Sequence, residues 1–113
     1  MDKELVSLRI DQILKHIDLV TNDLSNVNLE NFGEYSLLAR AIAFSLEQIC
    51  EHVTKLRKKY ECDYPNIEWD KIYDMRIVLA HMYMKIDTDI VYKTVKQDLP
   101  LLKKQMLEIK STL

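Results

Sequence analysis

The 113-residue chain has 48% hydrophobic and 30% charged residues, a composition typical of a globular domain rather than a disordered segment. Its single glycine and two prolines are too few for the turns of a β-rich fold, and they exclude the glycine-rich loops that cradle phosphates. Because the net charge is −2, no overall positive field would draw the protein to nucleic acid. We therefore expect one all-α domain over residues 1–113, on which any polyanion would bind a local patch.

The chain shows no apolar run long enough to span a bilayer and no signal-peptide pattern after Met1. We therefore expect a soluble, cytoplasmic protein without a membrane partner. Cys50 and Cys62 do not form a CxxC pair, so reduced and at least partly buried thiols are expected rather than a disulfide or a metal site. No cofactor motif and no metal-ligand spacing is present in the sequence.

The first helix is predicted to run from about Asp2 to Asn22. Its apolar residues recur at spacings of three and four, which is typical of an amphipathic helix that packs on a core. These residues are Val6, Ile10, Ile13, Ile17, Val20 and Leu24. His16 lies beside the stripe, where we expect a partly exposed boundary residue.

A polar loop follows, and Asn31 with Glu34 resembles a capping box that begins the second helix. This helix is predicted to end near Tyr60 and to carry two apolar stripes. The main stripe is Tyr35, Leu38, Ile42, Ile49, Val53, Leu56 and Tyr60, and the second is Leu37, Ala41 and Phe44. Because one stripe suffices for packing within a bundle, the second indicates another contact surface, most simply a second subunit.

Four cations crowd the end of the second helix: Lys55, Arg57, Lys58 and Lys59. They can complement the negative end of the helix dipole, which is an ordinary structural use of such residues. They can also form a patch that contacts the phosphates of RNA. The sequence leaves both interpretations open.

The third helix is predicted to follow Pro65 and to run from near Ile67 to about Tyr83. Asp87 is a good N-terminal signal for a last helical region. Pro100 lies inside that region, and its missing N–H and bulky ring predict a kink or a split nearby. The expected architecture is an up-and-down bundle of four helices, or five if Pro100 makes a true break.

The third helix carries Arg76, His81 and Tyr83 among apolar residues. Arginine offers a permanent cation for phosphate oxygens, and histidine can take or give a proton near neutral pH. Together they suffice for metal-free RNA cleavage by internal transesterification. The plain structural alternative is a helix-terminal histidine and a surface arginine bonded to carboxylates or carbonyls.

Helix geometry constrains how these residues can cooperate. On a straight α-helix, Arg76 and His81 point about 140° apart, whereas Tyr83 returns to the face of Arg76 about 10 Å further along. One regular helix therefore cannot bring Arg76 and His81 into a compact site. They converge if the helix distorts before His81, or if two copies face each other across a dimer axis.

The pattern Arg76-x4-His81-x-Tyr83 resembles the signature of HEPN domains, and in particular of their HepT-like branch. Three further stretches are similar to that branch: Pro65–Ile72, Asp87, and Asp98-Leu99-Pro100-x-Leu102. The similarity extends over most of the chain. It implies an all-α, HEPN-like helical fold.

The resemblance also implies a function. HepT-like proteins are homodimeric toxins of type VII-like toxin–antitoxin pairs, and they act as metal-independent endoribonucleases. The arginine and histidine of their dimer cleft correspond to Arg76 and His81. Their partner is a minimal nucleotidyltransferase, the MntA-type antitoxin, which transfers AMP from ATP to the tyrosine matching Tyr83. Glu47 is a candidate polar neighbour of this site, and a solvated carboxylate is the alternative.

Ile77 departs from the family pattern, because many active relatives carry a polar residue, often asparagine, directly after the arginine. This departure favours an alternative function, that of a non-catalytic HEPN subunit. Such a subunit would dimerise and support a nucleotidyltransferase in binding a nucleotide or another substrate. A purely structural helical dimer is a third interpretation.

Overall fold

The computed structural model describes residues 1–34 and 36–113, and these residues form an all-helical bundle without β-strands. The helices are α1 (Lys3–Asp23), α2 (Leu37–Tyr60), α3 (Trp69–Ala80), α4 (Thr88–Lys93) and α5 (Leu99–Lys110). A 3-10 turn at Leu29–Asn31 precedes α2, and a π-helical segment at Thr94–Asp98 joins α4 to α5. The all-α prediction is confirmed.

Helix α1 agrees with its prediction to within a residue at either end. The carboxylate of Asp2 accepts a hydrogen bond from the backbone N–H of Leu5 at 2.8 Å, which satisfies one of the free donors of the first turn. All six residues of the predicted apolar stripe are buried. The spacing of the apolar residues therefore determines which face of α1 packs on the core.

The predicted start of the second helix is wrong. Asn31 does not cap it, because Asn28 and Asn31 instead bond each other's backbone N–H groups and close the 3-10 turn. Gly33 then takes a positive φ of 75°, a left-handed conformation that interrupts any helix. Tyr35, which the prediction placed on the main stripe, lies outside the described residues.

Ser36 is the true N-cap of α2. Its hydroxyl accepts from the N–H of Ala39 at 2.9 Å and donates to the carbonyl of Phe32 at 2.9 Å. The first bond satisfies the helix and the second ties it to the preceding loop, whose Phe32 is fully buried. Helix α2 consequently begins at Leu37.

Helix α3 is shorter than predicted at both ends. Ile67 is buried just before it, and Trp69 begins it with its indole N–H donating to the carbonyl of Tyr64 at 3.0 Å. The last α-helical residue is Ala80 rather than Tyr83. Helix α3 packs mainly on α2.

The disturbance predicted near Pro100 takes the form of the π-helical segment. There the N–H of Leu99 donates to the carbonyl of Thr94, five residues back. Pro100 then lies in the first turn of α5, where its missing N–H costs little. The chain therefore stays helical from Thr88 to Lys110.

The core lies between α1, α2 and α5. Helices α1 and α5 are antiparallel, as shown by two ion pairs, Asp11–Lys110 at 3.1 Å and Asp18–Lys103 at 2.8 Å. The buried residues of α2 and α5 that complete the core include Ile42, Leu46, Ile49, Val53, Leu56, Leu102, Met106 and Ile109. Burying each such side chain contributes roughly 1.5–3 kcal/mol.

Candidate active site

The end of α3 positions the imidazole of His81. Backbone N–H groups of His81 and Met82 reach back three residues, to Val78 and Leu79, both at 3.1 Å, so the helix tightens as it ends. His81 is the C-cap residue, with φ −95° and ψ 5°. Ile86 is buried shortly afterwards. The chain thus leaves the helix at His81 and returns to the core.

The tautomer of His81 follows from one hydrogen bond. Its Nδ1 lies 2.7 Å from the carbonyl oxygen of Ile77, and a carbonyl can only accept, so Nδ1 carries the hydrogen. In the neutral ring the lone pair is then on Nε2. Because His81 is exposed, that lone pair is available to take a proton from a ligand.

Arg76 lies half-buried at the interface of α3 with α2. The pKa of the Cys50 thiol on α2 is raised to about 12, first by burial and then by the Glu47 carboxylate, and the charge of Arg76 acts in the opposite direction. Arg76 and Glu47 therefore both lie near Cys50. Within residues 1–34 and 36–113, Arg76 forms no ion pair, so its charge is available to an anion.

Tyr83 projects from the turn between α3 and α4. Its side chain is 80% exposed and that of the adjacent Met84 is 77% exposed. Exposure on this scale leaves the phenol accessible to another protein.

The helical relation between Arg76, His81 and Tyr83 has to be corrected. The calculation for a straight helix placed Tyr83 on the face of Arg76, but α3 ends at Ala80 and that relation does not extend to Tyr83. The helix ends immediately before His81, the distortion that was one of the two routes to a shared site. No hydrogen bond in the described part of the chain joins Arg76 to His81.

The pair of helices α2 and α3 has an exposed apolar surface. On α2 it includes Leu37, which is 75% exposed, and Phe44, which is 59% exposed. On α3 it includes Tyr73 and Ile77, which are 43% and 45% exposed. The second stripe of α2 thus finds no cover within the described chain, and we call these four residues the apolar face.

Cys50 takes part in the site only as a neutral neighbour. It lines an apolar cavity of about 60 Å³ among α2, α3 and α5. With a pKa of about 12, its thiol stays protonated at neutral pH and cannot act as a nucleophile. Both cysteines are free thiols, as expected, although Cys62 is exposed rather than partly buried.

The family described as "Ribonuclease HepT-like" matches residues 10–109. The chain belongs to the HepT-like family. The predicted resemblance of the chain to HepT-like HEPN domains is confirmed.

Curated relatives of this HepT-like chain agree with that assignment. A protein of Caldanaerobacter subterraneus subsp. tengcongensis named "Putative RNase" is 30% identical over 88% of this chain and 89% of its own length. A Methanocaldococcus jannaschii protein with the same description is 30% identical over 96% of this chain and 90% of its own. A "Probable ribonuclease HepT" of Thermococcus cleftensis is 29% identical over 83% of this chain and 86% of its own. No solved structure matches the chain.

The four cations at the end of α2 differ in whether they have a structural partner or are free to contact RNA phosphates. Arg57 is neutralised by Glu61 at 2.8 Å and by Asp70 at 2.7 Å, so it ties the end of α2 to the start of α3. Lys59 donates to the carbonyl of Met1 at 3.3 Å. Lys55 and Lys58 are exposed and form no ion pair with the described residues. Lys55 and Lys58 are therefore the two cations of this group that could contact a phosphate.

Sequence reasoning missed the part that the backbone of Ile77 plays. It singled out the side chain of Ile77 as a departure from the family pattern, whereas the carbonyl of Ile77 fixes the tautomer of His81. The signal was present, because a histidine four residues after a position in a helix can reach the carbonyl of that position. It is also a weak signal, since any residue can supply the carbonyl.

Among residues 1–34 and 36–113, no group of three or more His, Cys, Asp or Glu side chains is arranged to hold a metal ion. None of the helices in the same ranges has the length and apolar character needed to cross a membrane.

Proposed function

We propose that this HepT-like protein is the toxin of a toxin–antitoxin pair and cleaves RNA without a metal ion. One observation carries the proposal: the Nδ1–H of His81 is bonded to Ile77, which leaves Nε2 as an exposed base close in sequence to the unpaired charge of Arg76. Membership of a ribonuclease family supports the same activity. Both RNA and ATP are available in the cytoplasm, where we place the protein.

The chemistry is an internal transesterification. Nε2 of His81 takes the proton of a ribose 2′-OH, and the resulting oxygen attacks the adjacent phosphorus. The bond from phosphorus to the 5′ oxygen breaks, and the imidazolium gives a proton to that oxygen as it leaves. Arg76 stabilises the negative charge that builds on the phosphate oxygens, so the products are a cyclic phosphate and a free 5′-OH.

The apolar face supports a homodimer as the active form. Leu37, Phe44, Tyr73 and Ile77 are exposed apolar residues on two neighbouring helices, and a second copy would cover them. Arg76 lies beside these residues, so a two-fold axis there would bring two sets of Arg76 and His81 to one cleft. The site would then be completed by dimerisation.

We further propose that Tyr83 is the control point. Its phenol oxygen would attack the α-phosphorus of ATP held by a partner nucleotidyltransferase, with pyrophosphate leaving and AMP remaining on the tyrosine. The 80% exposure of Tyr83 suits such a reaction. The added phosphate and adenine would lie two residues from His81 and compete with RNA for the cleft.

A second function rests on Ile77. An aliphatic side chain here offers no hydrogen bond to a phosphate, whereas many active relatives supply one. The protein would then be a non-catalytic HEPN subunit whose cleft helps a nucleotidyltransferase to bind a nucleotide. This version predicts a stable complex with the nucleotidyltransferase and no RNase activity.

Cleavage of RNA in the presence of EDTA separates the two functions. The wild-type protein should cleave RNA, and His81→Ala and Arg76→Ala should each reduce the rate by about 100-fold or more. Lys104→Gln, a charge change on the exposed side of α5, is the matched control and should cleave like the wild type. Cleavage that survives His81→Ala would rule out the catalytic role.

Intact mass after incubation with a neighbouring nucleotidyltransferase and ATP tests the modification. The mass should rise in steps of one AMP in the wild-type protein and remain unchanged in Tyr83→Phe. Tyr73→Phe is the matched control, because Tyr73 is also exposed but lies on α3 itself. Equal AMP incorporation in Tyr83→Phe would place the acceptor elsewhere.

A further inference from the structure

The groove between α1 and α2 carries a second set of polar side chains, outside the site of Arg76 and His81. On each helix three polar residues recur at i, i+3 and i+7, which places them on one face. They are Arg9, Gln12 and His16 on α1, and Ser45, Gln48 and His52 on α2. We call these six residues the polar groove.

Two contacts across the polar groove show how the helices align. Nη1 of Arg9 lies 3.2 Å from Nδ1 of His52, and Nδ1 of His16 lies 3.1 Å from the hydroxyl of Ser45. The earlier residue of α1, Arg9, contacts the later residue of α2, His52, and the reverse holds for His16 and Ser45, so the two helices run antiparallel. The two contacts are about 10 Å apart along the groove.

The other flank of α1 provides a comparison. There Asp11 and Asp18, also seven residues apart, are both paired with lysines of α5, at 3.1 and 2.8 Å. Within residues 1–34 and 36–113, Arg9 has no carboxylate partner, and its Nε is buried without any hydrogen bond. A half-buried guanidinium with an unsatisfied N–H is costly. The polar groove therefore holds a permanent positive charge that no carboxylate of the described residues neutralises.

The contact between Arg9 and His52 also orients a second donor. Arginine can only donate, so Nδ1 of His52 accepts, and the hydrogen of the neutral imidazole is on Nε2. That N–H points away from Arg9. The charges of Lys55 and Lys15 act on His52 and His16, and Glu51 is the carboxylate that acts on His52. Cations and N–H donors dominate the polar groove, which suits phosphate oxygens.

The polar groove lies close to the candidate active site. Helix α2 packs against both α1 and α3. Arg9 contacts His52, and Arg76 acts on Cys50, only two residues earlier on α2. The two positions are thus about 3 Å apart along the axis of α2, but they point about 160° apart, on opposite flanks of a helix about 10–12 Å across. A single strand of nucleic acid would reach both by crossing the exposed side of α2 near Lys55, about 16 Å along the helix from Phe44 of the apolar face.

We propose that the polar groove binds a backbone phosphate of the RNA strand through Arg9 and His52, while the phosphate to be cleaved lies at Arg76. The groove would hold the strand in register and take no part in the chemistry. This inference rests on the proposed ribonuclease function, which it extends to a second phosphate contact.

Equilibrium binding of a short single-stranded RNA tests the groove, with cleavage blocked by His81→Asn. Adding Arg9→Gln should weaken binding about tenfold, the effect of removing a charged hydrogen bond. It should also reduce the slope of log affinity against log salt by about 0.7, because one phosphate contact is lost. Adding His52→Asn keeps an acceptor for Arg9 and removes Nε2–H, so binding should weaken about threefold with the slope unchanged.

Lys104→Gln removes one positive charge from α5 and should leave both the affinity and the slope unchanged. Thermal melting of each variant checks that the bundle is intact. If Arg9→Gln binds RNA like its parent, the groove proposal is overturned, even when the wild-type protein cleaves RNA. If Arg9→Gln instead lowers the molecular mass from dimer to monomer, the groove is a subunit contact, which also overturns it. A reduced salt slope in a protein that never cleaves RNA would support the groove and refute the ribonuclease.

Discussion

His81 has two separable tasks at the end of α3. Its Nδ1–H satisfies the carbonyl of Ile77, one of the free carbonyls of the last turn, and its Nε2 is the base of the proposed reaction. Asparagine has an amide nitrogen at the position of Nδ1 and nothing at the position of Nε2. The substitution His81→Asn therefore separates the structural task from the catalytic one.

We expect His81→Asn to melt within a few degrees of the wild type, because the bond to Ile77 can be kept. Its rate of RNA cleavage should fall by roughly 10²–10⁴-fold, the usual contribution of a general acid–base. Initial rates and thermal melting on the same preparations measure both effects. A loss of activity that accompanies a large loss of stability would assign His81 to the fold alone.

His16 and His52 link stability to pH. Burial is the main reason why the pKa of each is lowered, followed by the charge of Lys15 for His16 and of Arg9 for His52. In the unfolded chain both titrate near 6.5. Between that value and the lowered folded pKa the unfolded state binds more protons, so the free energy of unfolding falls as the pH falls.

Urea unfolding at a series of pH values between about 7.5 and 5.5 measures this effect, since the window spans the ordinary pKa of histidine. The urea midpoint of the wild type should drop towards acid pH, and the midpoint of the double variant His16→Asn, His52→Asn should drop less. Lys104→Gln serves as the control and should follow the wild type. Equal slopes in the wild type and the double variant would contradict the assignment to these two histidines.

At the level of the helices, sequence patterns predicted the packed faces better than the boundaries. Every residue of the α1 stripe is buried, because a spacing of three and four leaves one face for the core. The start of α2 was missed because the residues near it offer several capping pairs, and Gly33 decides between them. The end of α3 has no glycine or proline to mark it. It follows from the later burial of Ile86, which no local pattern reveals.

In the candidate site, too, features that depend on contacts between distant or backbone groups could not be predicted from the sequence. Spacing and resemblance predicted Arg76, His81 and Tyr83 as the residues of the site. Whether Nε2 of His81 is free could not be read, because that depends on a backbone carbonyl. Nor could the polar groove be found, since its two halves lie on different helices and meet only through the antiparallel alignment of α1 and α2.

Pro100 gives a prediction about the continuous helix from Thr88 to Lys110. In the interior of a regular helix a proline is unfavourable by about 3 kcal/mol, and replacing it there would stabilise a protein by a similar amount. Here the π-helical segment and the first turn of α5 already accommodate the ring. Pro100→Ala should then destabilise slightly, by roughly 0.4–1 kcal/mol, because the unfolded chain gains freedom.

Chemical denaturation of Pro100→Ala shows directly whether the free energy of unfolding falls or rises. Lys104→Ala, in the same helix and exposed, controls for the change in helix propensity. Stabilisation by about 2 kcal/mol or more would mean that the proline strains the helix, contrary to the accommodation described above.

For the whole molecule, the apolar face of α2 and α3 is the exposed surface that a second subunit would cover. A chain of this size can leave single apolar residues exposed, but Leu37, Phe44, Tyr73 and Ile77 lie on two helices that pack together. Arg76 is at the same interface. Covering the face with a second copy would bury the apolar residues and bring two candidate sites together. RNase activity should then depend on dimerisation.

Phe44→Asp should therefore convert the protein to a folded monomer. Phe44 is 59% exposed, so a carboxylate is tolerated in the single chain but would be buried without a partner at a two-fold interface. Leu107→Asp on α5, where the leucine is 46% exposed, is the matched control and should leave the mass of a dimer. Light scattering after size exclusion measures the mass, and the RNase assay should show activity lost with the dimer. A Phe44→Asp protein that keeps the dimer mass would place the interface elsewhere, and a monomer with full activity would mean that each chain holds a complete site.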